Sequence, residues 1–438
     1  MPRVYIETYG CQMNVSDSEL MFGVLGVEGY VRTDDPAQAD VMLVNTCAVR
    51  DHAEQRVLGR MGDLKRHKRA GGVLGVVGCM AARLGPRLLE QVPQVDLVVG
   101  PDGYRGLPEL IARARAGERA ADVQFRSWEH YEDVPPARPD GGTSAFVTVQ
   151  RGCDYRCTFC IVPMTRGPER SRNLGDVVRE VASLAARGTT EVTLLGQTVN
   201  SYHDGAHDFA DLLRAVGAVP GIRRVRFTSP YPTDFTAGVL AAMAETPAVC
   251  EHVHLPLQSG SSRVLKRMLR RYTRERYLEI VAALRGAVPG IALSTDIIVG
   301  FPGETEQDFA ETVSVVEQVE FDDAFTFKYS LRDGTPATKL KDRVADDVAG
   351  ERLERLIAVV RRVARRKNVA LVGTTHEVLV EGKAKRGGLL QARTRSNKVA
   401  LLDGPDEWIG TYRRVRLTGT TGSTFTSWPV ERELAVVG

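Results

Sequence analysis

The sequence contains no apolar run approaching the ~20 residues that a membrane-spanning helix needs. Its start, MPRVYIETYG, also lacks the basic and then apolar layout of a secretory leader. Both absences lead to the expectation of a cytoplasmic protein. Cysteine is scarce, seven in 438 residues. In a compartment that keeps thiols reduced, scarce but clustered cysteines point to metal or redox chemistry rather than disulfides. An excess of either charge is missing as well, since 58 Lys and Arg stand against 55 Asp and Glu. The composition is ordinarily globular, and the length suits two or three domains, each with its own core.

The charge is unevenly spread. Residues 351–372 hold seven Lys/Arg against two Asp/Glu, and residues 373–438 hold ten against seven. The remainder is net acidic. A basic end on an acidic body is the usual footprint of an anionic partner, most often nucleic acid, although a run such as GERLERLIAVVRRVARRKNVALVG also reads as a solvated helix face.

Periodicity divides the chain into an α/β protein of three parts. In residues 1–125 the apolar runs RVYIETYG, DVMLVNTC, GVLGVVGC and VDLVVG alternate with helical patterns, which predicts a parallel sheet with helices on its faces. Residues 126–144, rich in Pro, Gly and acidic side chains, read as a linker. Residues 145–372 repeat strand and helix six times, with strands expected at 145–150, 191–195, 223–228, 250–255, 291–299 and 322–329. Six such units predict an open parallel (β/α)6 partial barrel or sheet, whose ligands sit at the carboxyl ends of the strands. From 373 to 438, β-branched runs and Gly turns predict a small antiparallel β-barrel.

Against this framework the cysteines fall into two sets. Cys11, Cys47 and Cys79 each follow a different strand of the first domain, so three strands deliver a thiol to the same, ligand-binding edge. One buried cysteine is an ordinary core residue. Three in equivalent positions point to metal ligation. Cys153, Cys157 and Cys160 lie in CDYRCTFC, just after the first strand of the second domain. A structural zinc site would want a fourth nearby Cys or His, and the next histidine is His203. Three thiolates on a four-iron cubane leave one iron without a protein ligand, and an open iron implies a small molecule bound there.

The run Cys-x3-Cys-x2-Cys at the first strand of a strand–helix repeat resembles the radical S-adenosylmethionine (AdoMet) enzymes. The stretches TYGCQMNVSDSE, NTCAVRDHAEQR, VGCMA, GCDYRCTFCIVPMTRGPERSR, LLGQTVNSY, HLPLQSGSSRVLKRM and STDIIVGFPGETEQDF narrow the resemblance to the methylthiotransferase family over almost the whole length. The resemblance implies an N-terminal methylthiotransferase domain, a radical AdoMet core and a C-terminal RNA-binding TRAM domain. It also implies two [4Fe-4S] clusters, one on Cys11, Cys47 and Cys79 and one on Cys153, Cys157 and Cys160. AdoMet would be used twice per turnover, once to methylate sulfur and once to supply a 5′-deoxyadenosyl radical.

The wording favours the type that replaces the C2 hydrogen of N6-isopentenyl-adenosine, at tRNA position 37 beside the anticodon, with a methylthio group. Implied partners are the tRNA anticodon stem-loop, a sulfur donor and an electron donor such as flavodoxin or ferredoxin. Sister enzymes that act on threonylcarbamoyl-adenosine in tRNA or on an aspartate of a ribosomal protein stay open. So do an electron-transfer iron–sulfur protein and a zinc-stabilised RNA-binding module.

For AdoMet, the resemblance puts Phe159 near the adenine and Gly196 and Gln197 where the superfamily often has Gly-Gly-Glu. Gln258, Gly300 and Glu304 are further candidates, although Gly, Pro and polar residues also belong in turns. Thr198 stands where the family has Asn. RNA phosphates are expected at Arg361, Arg362, Arg365, Arg366 and Lys367 on a helix, and at Lys383, Lys385, Arg386, Arg393, Arg395 and Lys398 in the barrel. Cys250 reads as core. His252 and His254 share one strand face, with a structural or pocket-lining role, whereas Asp322 and Asp323 point to opposite faces.

Overall fold

A computed structural model describes residues 1–48, 51–138, 142–385 and 387–430. The N-terminal sheet has six parallel strands in the order Val31–Arg32, Arg3–Tyr9, Val41–Thr46, Val73–Gly78, Leu97–Val99, Ala120–Asp122. Its two central strands, VMLVNT and VLGVVG, are buried at every position, as strands covered on both faces must be. The short outer strands Val31–Arg32 and Ala120–Asp122 carry no apolar run and leave little trace in the sequence.

The second domain places six strands where the repeats predict them, Ser144–Thr148, Glu191–Leu195, Arg224–Phe227, His252–His254, Ala292–Val299 and Asp323–Lys328, and adds a short antiparallel pair, Gln150–Arg151 with Arg170–Ser171. The six form two three-stranded parallel sheets. A single bridge, Val225 to Val249, links the sheets, which makes an open partial barrel. The helix Asp346–Ala370 packs beside the last strand and buries Ala349, Leu356, Val360 and Val363 at helical spacing.

The C-terminal unit is a closed five-stranded barrel of Thr375–Lys383, Leu390–Thr394, Val399–Leu402, Tyr412–Thr420 and Thr424–Pro429. The antiparallel expectation needs one correction. Val399–Leu402 pairs in parallel with Thr424–Pro429, because the intervening strand Tyr412–Thr420 crosses the barrel to pair with the first strand.

Buried arginines hold this barrel onto the core. Arg224, with no exposed surface, donates to the carbonyl oxygens of Arg393 at 2.9 Å and Glu377 at 3.1 Å. Arg226 donates to those of Arg395 at 2.9 Å and Thr394 at 2.8 Å. Arg395 pairs with Glu251 and Lys398 with Asp322, both at 2.9 Å. Arg224, Glu251 and Asp322 sit at or just before the amino ends of core strands and Arg226 two residues into one, so the C-terminal barrel is seated at the end opposite to the two sets of three cysteines. Among the described residues, no helix is long and apolar enough to cross a membrane.

Candidate active site

The strand register of the N-terminal sheet aligns Tyr9 with Thr46 and Thr46 with Gly78. Cys11, Cys47 and Cys79 follow these aligned residues within one or two positions, so the sheet delivers the three thiols to one edge. Two of them meet helix starts, Cys11 as the cap of Gln12–Val27 and Cys79 as the first residue of Cys79–Leu84. A Cβ added at Gly10 would lie 2.9 Å from the Cβ of Cys47, so only glycine lets the Cys11 turn come this close. Asn14 and Asn45, both fully buried, join the two turns through a 3.1 Å amide–amide hydrogen bond.

Cys153, Cys157 and Cys160 leave the first barrel strand on a loop entered through Gly152, at φ 79°, where a Cβ would collide with the carbonyl oxygen of Pro168. The loop crosses toward the fourth strand. There Thr158 N–H donates to the Met268 carbonyl at 3.0 Å, and Arg270 Nη1 donates to Cys157 Sγ at 3.4 Å. Burial pushes the Cys153 thiol up to about 11 and that of Cys160 up to about 12, each reinforced by a neighbouring cysteine. Thiols so held must shed protons on binding metal.

The two thiol-bearing edges face each other. Ile161 packs with Ala48 and Cys79, and Ser16 Oγ lies 2.9 Å from Thr148 Oγ1 at the end of the first barrel strand. Asp17, fully buried, is paired with Arg151 at 3.0 Å and Arg166 at 2.6 Å, both from the second domain. Burial alone would raise the Asp17 carboxyl, but the two guanidinium groups outweigh it and hold the pKa below its usual range. Arg166 also donates from Nε to Cys79 Sγ at 3.2 Å. Arg332, beyond the last barrel strand, interacts electrostatically with Cys47.

Among the described residues, no three Cys, His, Asp or Glu side chains gather as ligands of one metal ion. A cubane spreads three thiolates over three irons, so its ligands need not converge on a point. The donor sets suit such clusters, with three thiols and no disulfide in each. Beside Cys79 lies a buried Arg166 Nη1 without a hydrogen-bond acceptor among the described residues.

The AdoMet candidates lie around the second set. Phe159 meets the Phe301 ring edge-on, 6.4 Å between centroids. Gln197 Oε1 accepts from Gly152 N at 2.6 Å, and a Cβ on Gly196 would meet Gln150 Oε1 at 2.8 Å. Gln258 is buried at a left-handed φ of 66°, a conformation that non-glycine residues rarely hold without reason. Glu304 accepts from Gly300 N at 2.9 Å and from Arg352 at 2.8 Å, so its carboxylate braces the GFPGE turn against the long helix. Thr198 donates its hydroxyl to Glu169 at 3.1 Å.

The basic residues divide. Arg362, Arg366, Lys367, Lys383, Arg393, Arg395 and Lys398 form ion pairs within the chain. Arg361, Arg365 and Lys385 are exposed, and Arg386 lies outside the described residues. A groove of about 700 Å³ escaped the sequence reading; Arg156, Lys266, Leu269, Arg270 and Arg271 line it beside Cys157. Asp17 and Arg166 were also missed. Both stand in motifs already singled out, but 149 residues separate them, and no spacing rule connects them.

Residues 147–316 match the Radical SAM superfamily, 3–100 the Uncharacterized protein family UPF0004, and 369–424 the TRAM domain. The solved radical AdoMet methyltransferase TsrM of Kitasatospora setae, with cobalamin and a [4Fe-4S] cluster, shares the fold. Its TM-score is 0.59 at 18% identity, with 77% of each chain covered. The cobalamin-dependent radical enzyme OxsB gives 0.53 at 13% identity, over 83% of this chain and 56% of its own. Fold and cysteine placement thus define a radical AdoMet protein.

Closer similarity is to proteins named tRNA-2-methylthio-N(6)-dimethylallyladenosine synthase. That of Geobacter sulfurreducens is 47% identical over 95% of this chain and 94% of its own. That of Porphyromonas gingivalis is 46% identical over 98% and 95%. The chain belongs to this family of radical AdoMet methylthiotransferases.

Proposed function

We propose that this protein replaces the C2 hydrogen of N6-isopentenyl-adenosine, at position 37 of tRNA, with a methylthio group. The observation that carries the reading is the pair of three-thiol edges facing each other across the Asp17–Arg151–Arg166 contact, in a chain nearly half identical to dimethylallyladenosine synthases along its length. Exchanging an aromatic C–H for S–CH3 needs a radical initiator and a sulfur source that reach the same carbon.

Cys153, Cys157 and Cys160 would hold a [4Fe-4S] cluster that, with AdoMet, supplies the hydrogen-abstracting 5′-deoxyadenosyl radical. Cys11, Cys47 and Cys79 would hold a second cluster as the sulfur site. Phe159, Gly196, Gln197, Gln258 and Gly300 would surround AdoMet. Glu304 would act indirectly, by fixing the turn that carries Gly300.

The anticodon stem-loop would be gripped at both ends of the core, at Arg361, Arg365 and Lys385 near the C-terminal barrel and at Arg156, Lys266 and Arg271 beside Cys157. Phosphate contacts of this kind position a substrate without reading its sequence. The adenine must leave its stack to enter. A low-potential flavin or iron–sulfur protein of the cytoplasm would supply electrons, and a separate donor the sulfur.

The test is nucleoside mass spectrometry of isopentenyl-adenosine tRNA incubated with anaerobically reconstituted protein, AdoMet, sulfide and dithionite. Gain of a methylthio group on that nucleoside is the expected result. 5′-Deoxyadenosine with an unchanged nucleoside would mean another substrate, and neither product would overturn the reading.

A further inference from the structure

Arg166 ends the short helix Val162–Arg166 of the second domain, yet among the described residues its side-chain hydrogen bonds are with the first. Its Nε donates to Cys79 Sγ at 3.2 Å and its Nη2 to Asp17 at 2.6 Å. Its Nη1 is buried and has no acceptor among the described residues. Asp17 is itself shared with Arg151, so the guanidinium is anchored from behind rather than drawn to the sulfur by chance.

A buried N–H left without an acceptor carries a desolvation cost that a hydrogen bond would offset. A sulfur-rich group on Cys79 would offer one. Hydrogen bonds and positive charge at the sulfurs are among the factors that set the reduction potential of an iron–sulfur cluster.

We propose that Arg166 is a positioning residue for the N-terminal cluster: the second domain reaches across the interface through it, hydrogen-bonds the Cys79 sulfur, and thereby raises the potential of a cluster it does not ligate. Asp17 holds the guanidinium in place. Docking of the two domains and tuning of the N-terminal sulfur site are then one event, since the donor arrives only when the interface closes. The inference rests on the two-cluster reading.

The test uses full-length protein in which Cys153, Cys157 and Cys160 are replaced by Ala, so that only the N-terminal set can hold iron. Three chains are compared in this background: Arg166 retained, Arg166→Lys, and the pair Asp17→Asn with Arg166→Gln, which removes the donor together with its anchoring carboxylate and leaves Arg151 as the remaining charge of the contact. Iron and sulfide content, thermal transition and a redox titration followed by electron paramagnetic resonance are measured on each.

The expected result is a bound cluster in all three chains, with the potential of the paired variant clearly more negative and its spectrum altered, and Arg166→Lys in between. Iron lost from either variant while the thermal transition holds also counts in favour, since a brace acting only between domains would move the transition instead. Unchanged potential and spectrum at full iron content would overturn the proposal and leave Arg166 an interdomain brace. Absence of iron from the chain that retains Arg166 would overturn the two-cluster reading itself, and the proposal with it.

Discussion

Arg270 reaches Cys157 Sγ with its Nη1 at 3.4 Å while its guanidinium lies 4.4 Å from the centre of the Tyr231 ring. One side chain thus joins a cluster-ligand candidate to the basic groove outside. Leu269, at a left-handed φ of 56° and 54% exposed, stands in the same groove, an apolar tip among cations.

Reversing the groove's charge tests its place in RNA binding. The triple variant Arg156→Glu, Lys266→Glu, Arg271→Glu is expected to bind tRNA weakly. If each side chain contacts one phosphate, the slope of log affinity against log salt falls by about 2. AdoMet cleavage without RNA stays as in the parent. Filter binding over a salt series checks the slope; an unchanged slope removes the groove from the RNA path.

The two cysteine sets are expected to fail differently. Cys157→Ala abolishes 5′-deoxyadenosine formation and methylthiolation together. Cys47→Ala keeps some AdoMet cleavage and makes no methylthio product. Chromatography of both products from one reaction separates the two. A methylthiolated nucleoside from Cys47→Ala would end the division of labour between the sets.

Arg224 is among the largest side chains of the described residues with almost no exposed surface, and its role is to seat the C-terminal barrel. Arg224→Ala leaves Glu191 to Arg226 and Glu377 to Arg223 but strips the carbonyls of Arg393 and Glu377 of their donor, and a buried polar group left unmet costs about 1–3 kcal/mol. Chemical denaturation is expected to show that loss, or a separate early transition of the C-terminal barrel. A midpoint equal to the parent's would show the seat to be held by Arg226 and Arg395 instead.

His252 gives the fold an acid-sensitive point. Burial, then the nearby charge of Arg226, hold its pKa down at about 3, with His254 and Lys398 acting the same way and Asp322 opposing. In the unfolded chain the group titrates near ~6.5. Between those values the unfolded state binds the extra proton, so stability falls as pH drops below ~6.5, by up to ~1.4 kcal/mol per pH unit. Above that pH both states are neutral and the contribution is constant. His252→Gln is expected to flatten the acid limb of stability against pH, measured by thermal melts from pH 7 to 4.5.

Much of the framework was readable in one dimension because it repeats. Strands buried on both faces must be apolar throughout, so VMLVNT and VLGVVG announce themselves, and the six barrel strands keep helical spacing between them. His252 and His254 fall on one face, as alternation requires, and both reach Ser294. Asp322, just before the strand Asp323–Lys328, is largely covered between Lys367 and Lys398 while Asp323 is exposed, so the two turn to opposite sides. The fate of the basic tail was not readable: Lys398 and Arg395 look like phosphate contacts in composition, yet they are consumed in holding the barrel to the core.

By itself the sequence determined the chemistry on offer: six cysteines at strand ends, the glycines that let them turn, and the order of three domains. These are local properties, set by backbone sterics and the period of burial. Only the tertiary structure decided what faces what. It brought Asp17 to Arg166 across 149 residues, set the C-terminal barrel at the far end of the core, and opened a basic groove beside Cys157. Buried charge pairs form where two surfaces exclude water together, and no single stretch of chain contains that condition.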